Sequence, residues 1–216
     1  MSAAREQVLA RIRTALGRGE PDPERTTELR ERIAQHPRHI EPAFGETPRQ
    51  RFRQKLEAAE ASFAELETLD AVAAEIERYL EAHGAEKRIA TSGDDLLRAI
   101  EWPASVDAQP WVAGSDHRVS LTMAYCGIAE TGSLLLVSGE QNPTCLNFLP
   151  DYHVVLIKAE QLVLRMEDAW DSLRASTRQM PRSVNFISGP SKTADVEQTV
   201  EYGAHGPRCL HVILVG

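Results

Sequence analysis

Apolar residues in the first part of the chain recur every three to four positions, which is the spacing of an amphipathic helix. Leu9, Ile12 and Leu16 follow this spacing, and Gly17 then ends the element. The same spacing returns over residues 49–67 and 69–83. The sequence therefore predicts one N-terminal helix and, later in the chain, two longer helices.

Polar, proline-rich stretches at residues 20–25 and 36–48 separate the first helix from the rest of the chain. Such composition is typical of irregular surface segments. We therefore divide the chain into an N-terminal helical arm, residues 1–48, and a main domain, residues 49–216.

The second half of the chain alternates short β-like runs with helix-like segments, which is typical of a mainly parallel sheet covered by helices. The predicted strands are residues 88–91, 111–113, 133–138, 153–158, 184–188 and 210–215. Residues 134–137, 154–157 and 211–215 are almost continuously apolar, so we expect them at the sheet centre. Further helices are predicted near residues 142–149, 166–180 and 193–202. The pattern predicts an α/β fold.

Composition narrows the classes of function. The formal net charge of −8 argues against general nucleic-acid binding, which needs a basic face. No apolar run approaches the roughly 20 residues of a membrane-spanning helix. Cys126, Cys145 and Cys209 are widely spaced and form no CxxC pair, so we expect no metal site and no iron–sulfur cluster. Without a signal peptide, the expected location is cytoplasmic; no cofactor can be named.

The segment GPSKTAD, residues 189–195, joins a predicted strand to a predicted helix. Ser191 or Thr193 can cap that helix, and Lys192 adds a positive charge, so the turn suits a carboxylate or phosphate. A capped turn with a solvated lysine is the alternative. The candidate ligand-binding residues are Gly189, Ser191, Lys192, Thr193 and Asp195.

The segment AHGPRC, residues 204–209, forms a Gly-Pro turn just before the last predicted strand. His205 is a candidate general acid or base, and Arg208 is a candidate carboxylate clamp beside Gly206. The alternative is a tight turn whose histidine bonds a neighbouring carbonyl. Because this turn and GPSKTAD lie on adjacent connections of the predicted sheet, we expect them to form one site.

A third glycine turn, GIAETGS at residues 127–133, contains Glu130 among small residues. A carboxylate placed there is a candidate catalytic nucleophile or base, with Thr131 and Gly132 as ligand-binding neighbours. Equally, Glu130 can accept hydrogen bonds that hold the turn closed. Further along, Asn142 before Pro143 predicts a helix start that turns polar side chains towards the same cleft.

Several of these segments together resemble the lactate-utilization protein C family, whose members carry the LUD domain. The segments are GIAETGS, LLLVS, SGPSKTADVE and GAHGPRCLHVILVG, and the opening ARIRTAL also resembles family N-termini. The resemblance extends in register over residues 92–216. It implies a three-layer α/β/α domain similar to the sugar-isomerase and CoA-transferase group, including 5-formyltetrahydrofolate cyclo-ligase.

The resemblance also implies a role in oxidation of L-lactate to pyruvate, beside two companion proteins that carry iron–sulfur clusters. This chain would be the cluster-free accessory or regulatory subunit, binding a small anionic ligand or a partner. The alternative is a stand-alone enzyme of CoA-transferase-like fold that performs acyl or phosphate chemistry through Glu130. The resemblance assigns no catalytic residue, so whether the chain is itself an enzyme stays open.

Overall fold

The computed structural model describes residues 3–17, 19, 22–36, 38, 41–114, 116–177, 179–193 and 201–216. The chain divides into two compact units, Met1–Ala43 and Phe44–Gly216. The first unit contains α1 (Ala3–Ala15) and α2 (Pro23–Gln35). The predicted N-terminal helix is thus confirmed, whereas α2 was not predicted.

The second unit carries the main domain. Its described α-helices are α3 (Pro48–Ala58), α4 (Val72–Ala82), α5 (Asp95–Arg98) and α6 (Met166–Ser176). Its described strands are β1 (Ser62–Leu66), β2 (Arg88–Thr91), β3 (Asp107–Pro110), β4 (Val119–Met123), β5 (Cys126–Ile128), β6 (Ser133–Val137), β7 (Tyr152–Lys158), β8 (Leu162–Val163), β9 (Val184–Ile187), β10 (Lys192–Thr193), β11 (Glu201–Tyr202) and β12 (Cys209–Val215). No helix within the described part of the chain is both long and apolar enough to cross a bilayer.

The central sheet has six strands in the order β1-β12-β7-β4-β2-β3, and every neighbouring pair is parallel. β7 and β12 lie in its middle and are almost entirely buried, as their continuous apolar runs predicted. The predicted α/β class with a mainly parallel central sheet is confirmed.

Side chains alternate between the two faces of this sheet, and each face has its own core. On one face, Ile76 and Leu80 of α4 pack against Val154 and Ile213 of the central strands. We call this the α4 face. On the other, Phe52 and Leu56 of α3 pack on residues that include Val155 and Val212.

A second sheet of four strands, in the order β8-β5-β6-β9, covers the face where α3 lies. β6 pairs antiparallel with both β5 and β9. α6 packs behind this sheet, with Ala169 against Ile128 and Leu135. We call the face covered by α3 and this sheet the second-sheet face. The apolar run of β6 was predicted to lie at the centre of the parallel sheet, which is wrong, because a run buried on both sides looks the same in either sheet.

Other predicted elements also differ from the structure. Residues 62–66 form strand β1 rather than the end of a helix, because Glu60 adopts a left-handed φ of +65° and the Ala61 N–H bonds Leu56 O at 3.0 Å, which ends α3. The strand predicted at residues 111–113 is β3 instead, four residues earlier. The helix predicted for residues 193–202 is wrong at both ends, where β10 and β11 pair as antiparallel strands.

Candidate functional site

A cavity of about 220 Å³ lies where the amino ends of β7 and β12 meet the end of β9. It opens on the second-sheet face, and Phe148, Phe186 and Leu210 contribute apolar walls. The polar lining residues are Asn147, His153, Ser188, Ser191 and His205. A cavity with apolar walls and a few convergent polar groups is the usual form of a small-molecule site.

The structure brings the GPSKTAD and AHGPRC turns together, although their strands belong to different sheets. The Ser191 N–H donates to Pro207 O at 2.8 Å, and the Gly203 N–H donates to Ser191 O at 3.0 Å. Gly189, Ser191, His205 and Gly206 all line the cavity. The Ser191 N–H is already used, and Lys192–Thr193 form strand β10, so no helix begins at Ser191. A helix capped by Thr193 would begin at residue 194, outside the described residues, and the anion site there stays a prediction.

Gly189 is where the turn passes closest to α3. Its φ is +141°, and an added Cβ would lie 2.7 Å from the carbonyl oxygen of Ala59. A side chain would therefore push the turn away from the helix end. This glycine sets the path of the chain into the cavity wall.

Lys192 points to a carboxylate of the same chain. Its Nζ lies 2.8 Å from Glu60 Oε2 and 5.6 Å from the ring centroid of Tyr202, whose hydroxyl also donates to Glu60. The hydrogen bonds from Lys192 and Tyr202 lower the pKa of Glu60. The hydrogen bond between Tyr202 and Glu60 also raises the pKa of Tyr202. A ligand anion at Lys192 would have to compete with Glu60.

The remaining residues predicted for these two turns lie beside the cavity or outside the residues that the structure describes. Arg208 is exposed and directly follows the cavity-lining Pro207. Thr193 is half-buried in β10. Asp195 lies outside the described residues.

Glu130 lies at the start of α6, and it is not among the described residues that line the cavity. One carboxylate oxygen is 3.8 Å from an Arg165 guanidinium nitrogen, and the other is 3.5 Å from the Met166 backbone N. Anions are stabilised at such helix starts. These contacts join Glu130 to the start of α6 rather than to its own turn, and its catalytic role stays a prediction.

Thr131 and Gly132 contact other parts of the domain. Thr131 Oγ1 lies 2.7 Å from Ser133 Oγ, which lies 2.6 Å from Ser188 Oγ at the cavity wall. Gly132 has a φ of +68°, and an added Cβ would lie 2.5 Å from Lys55 Cβ and 2.9 Å from Leu56 N. Thr131 is thus linked to the cavity through hydroxyls, whereas Gly132 allows the turn to approach α3.

The segment after β6 does not extend the cavity as expected. Asn142 and Thr144 line a separate depression of about 580 Å³ around Arg182. Pro143 precedes a short 3-10 helix, Thr144–Asn147, and no side chain caps it. The prediction that Asn142 caps this helix is therefore wrong, and Asn147 at its end is the residue that reaches the cavity.

His153 lines the cavity, although the sequence analysis treated it only as part of a strand. It is 1% exposed, and its Nε2 lies 2.7 Å from Thr122 Oγ1. Burial lowers its pKa to about 3, so the imidazole is neutral near pH 7. The available signal was a histidine beginning an otherwise apolar buried strand.

A reactive thiolate is disfavoured at Cys126. This residue is buried in strand β5 of the second sheet, and burial raises the pKa of its thiol to about 12. Burial also raises the pKa of Cys209. Both thiols are therefore protonated near neutral pH.

Comparisons with known proteins agree with this fold. A family model described as the LUD domain matches residues 49–215. A crystal structure of a DUF162 family protein from Deinococcus radiodurans superposes with a TM-score of 0.62 at 23% identity, covering 81% of this chain and 100% of that chain. At this identity the likeness supports the fold alone.

Curated relatives align over part of their length. An uncharacterised protein of Neisseria meningitidis serogroup B is 33% identical over 133 residues, which are 62% of this chain and 57% of that protein. Lactate utilization protein C of Halalkalibacterium halodurans is 35% identical over 100 residues, 44% of each chain. Lactate utilization protein C of Deinococcus radiodurans is 32% identical over 129 residues, 58% of this chain and 57% of that protein. The alignments thus span about half of these relatives, and because the family model covers most of this chain, the chain belongs to the LUD-domain family.

Proposed function

We propose that this chain is a component of an L-lactate oxidation system, in which it is an accessory or regulatory subunit that works beside iron–sulfur proteins. The observation that carries the proposal is its similarity to several proteins named Lactate utilization protein C. The free cysteines support a cytosolic location, where thiols stay reduced. The wide spacing of Cys126, Cys145 and Cys209 supports a subunit that carries no cluster, since clusters are usually held by closely grouped cysteines.

The cavity is the site at which this subunit would bind a small anion. His205 and Ser191 line it, and Arg208 adds a positive charge next to its wall. Pockets for drug-sized ligands usually have volumes of roughly 300–1,000 Å³, so about 220 Å³ suits a ligand of few heavy atoms. A short-chain organic acid matches both the size and the charge.

The alternative of a stand-alone enzyme that uses Glu130 has less support. Its carboxylate lies beside Arg165 and the Met166 N–H. A nucleophile needs access to substrate and a partner that activates it. The contacts of Glu130 favour a role in holding the start of α6.

The proposal is tested by reconstitution. Lactate-dependent reduction of an artificial electron acceptor is measured with this chain alone, with the iron–sulfur proteins alone, and with the mixture. We expect activity only in the mixture. Activity of the iron–sulfur proteins alone that this chain does not change would refute the subunit role.

Two variants refine the reconstitution. His205→Ala removes a cavity-lining imidazole and should lower the activity of the mixture. His83→Ala is the matched control, because His83 is an exposed histidine at the end of α4. Equal activities of His205→Ala and His83→Ala would mean that the cavity does not contribute to the activity of the mixture.

A further inference from the structure

His153 is held deep between the two sheets with one ring nitrogen unused. It is the second residue of β7, and its register neighbours are Ser120 on β4 and Leu210 on β12. Nε2 lies 2.7 Å from Thr122 Oγ1, whereas Nδ1 is buried and has no hydrogen-bond partner among the described residues. Buried polar atoms in folded proteins nearly always have a partner, so this nitrogen calls for a functional explanation.

The charge state of His153 restricts which group can be that partner. Burial lowers its pKa to about 3, so the ring carries no charge near neutral pH. A neutral imidazole has one donor and one acceptor nitrogen, and the Thr122 hydroxyl can satisfy either. Nδ1 can therefore hydrogen-bond a hydroxyl or a carbonyl, whereas a carboxylate gains more from a permanently charged partner.

The other wall of the cavity has a different character. His205 lines it from an exposed turn, and Arg208 lies three residues later on the same turn. A guanidinium is permanently charged and binds carboxylates well. The buried ring of His153 and the exposed turn of His205 both line the cavity of about 220 Å³, and Arg208 adds a positive charge beside its wall, so the two parts can meet different ends of one small ligand.

We propose that the cavity binds a small organic acid in a fixed orientation, with His153 Nδ1 hydrogen-bonded to a hydroxyl or carbonyl next to the carboxylate. The carboxylate then lies towards His205 and Arg208. His153 is thus the residue that selects a 2-hydroxy or 2-keto acid over an unsubstituted acid. The choice of lactate and pyruvate as probes rests on the proposed function.

The chain contains a natural control for this inference. His211 is also 1% exposed, and it lies on the neighbouring strand β12, on the α4 face. Its Nδ1 lies 2.8 Å from Ser62 Oγ, and its ring stacks on Tyr79 with 4.2 Å between centroids. Replacing it perturbs the same sheet to a similar depth without touching the cavity.

The test measures binding of L-lactate, pyruvate and propionate to the purified full-length chain by calorimetry. These three acids share a carbon count and differ in the group next to the carboxylate. A site that hydrogen-bonds this group should prefer L-lactate or pyruvate to propionate by about tenfold or more. Absence of that preference, including no binding of any of the three, would overturn the inference.

Three variants assign the preference to one atom. His153→Gln places an amide near the position of Nε2 and keeps the Thr122 contact, so the preference should fall to a few-fold or less. His153→Asn places an amide near the position of Nδ1 and should retain part of it. His211→Gln should bind as the wild type does. An undiminished preference in His153→Gln, or an equal loss in His211→Gln, would contradict the assignment.

Failure of this inference is distinguishable from failure of the proposed function. Reconstitution with iron–sulfur proteins tests whether the chain belongs to the lactate-oxidising system, whereas calorimetry uses the chain alone. Activity only in the mixture, without a preference for L-lactate or pyruvate over propionate, would support the subunit role and refute the His153 site. That preference, without any effect of this chain on the mixture, would support the His153 site and refute the subunit role.

Discussion

The two faces of the central sheet each bury a histidine, and they do so in different ways. On the α4 face, His211 has Ser62 at Nδ1, Tyr79 against its ring, and Glu75 Oε1 3.2 Å from Nε2, though without good hydrogen-bond geometry. On the second-sheet face, His153 has Thr122 at one nitrogen and a cavity beside it. The α4 face surrounds its histidine with protein groups, whereas His153 on the second-sheet face also lines a cavity, and its Nδ1 has no hydrogen-bond partner among the described residues.

The elements that cover the two faces account for this difference. α4 contributes a continuous buried stripe that includes Ile76, Tyr79 and Leu80. β9 is the edge strand of the second sheet, and all four of its residues are only half-buried. A helix laid along the strands closes its face, while a sheet that ends at β9 leaves room at the amino ends of β7 and β12.

The largest expected effect concerns how the second sheet approaches α3. Gly132→Ala adds a Cβ that meets Lys55 Cβ at 2.5 Å and the backbone of Leu56 at 2.9 Å, in a left-handed conformation. Overpacking and backbone strain together should lower the free energy of unfolding by about 3 kcal/mol or more. Urea denaturation measures this change.

Gly84→Ala is the matched control for that variant. Gly84 also has a positive φ, of +60°, but a Cβ there would meet nothing within 4 Å. Only the strain of about 1 kcal/mol should remain. Similar losses in Gly84→Ala and Gly132→Ala would show that close packing of the turn on α3 contributes little.

The next effect separates the two histidines by stability. His211→Leu removes the Ser62 hydrogen bond and the Tyr79 stack, and it leaves Glu75 beside an apolar side chain, so it should cost about 2–3 kcal/mol. His153→Leu removes an unpartnered nitrogen but leaves the buried Thr122 hydroxyl without its partner, so the cost should be smaller, about 1 kcal/mol. Equal costs by denaturant titration would contradict the comparison.

β2, β7 and β12 of the central sheet were predicted at their positions, whereas β1 and β4 were not predicted and β3 was misplaced. β7 and β12 are apolar over most of their length, and the helices between strands have clear periodicity. β1 could not be predicted, because Phe63 continues the helical spacing of Phe52 and Leu56 while the end of α3 depends on Glu60 without a glycine signal. Contacts of Glu60 with Lys192, far away in sequence, accompany that conformation.

The site was predictable only in its loops. Glycine and proline marked the turns that carry Ser191 and His205, so their residue types pointed to a ligand site. The sequence could not show that Lys192 pairs with Glu60 or that Glu130 faces Arg165, because both partners come from distant positions. His153 was missed because pattern analysis assigns a residue within a buried strand to the core.

Acid should affect both faces, since burial lowers the pKa of His211 to about 4 and that of His153 to about 3. In the unfolded chain both histidines are protonated near pH 6.5, whereas in the native chain they stay neutral. Their contribution to the free energy of unfolding is therefore fully present above pH 6.5 and is lost as the pH falls towards 4. Each histidine contributes at most about 1.4 kcal/mol per pH unit in this window. Between pH 6.5 and 5.5, the free energy of unfolding should therefore fall by about 1 kcal/mol less in His211→Leu and in His153→Leu than in the wild type, as denaturant titrations would measure. An unchanged pH slope in His211→Leu would mean that burial does not lower the pKa of this histidine in the native state.

The smallest effect is expected at Glu130, on the second-sheet face but away from the cavity. Glu130→Gln keeps an oxygen for the Met166 N–H and loses the charge beside Arg165, which lies 3.8 Å away. The pair is partly exposed, so stability should fall by only about 0.5 kcal/mol.

Activity of the reconstituted mixture and binding of L-lactate should match the wild type in Glu130→Gln, whereas His205→Ala should lower both. If Glu130→Gln instead abolishes activity while its denaturation curve is unchanged, then the carboxylate acts on substrate. The turn at Glu130, rather than the cavity at His153, would then be the functional part of this face.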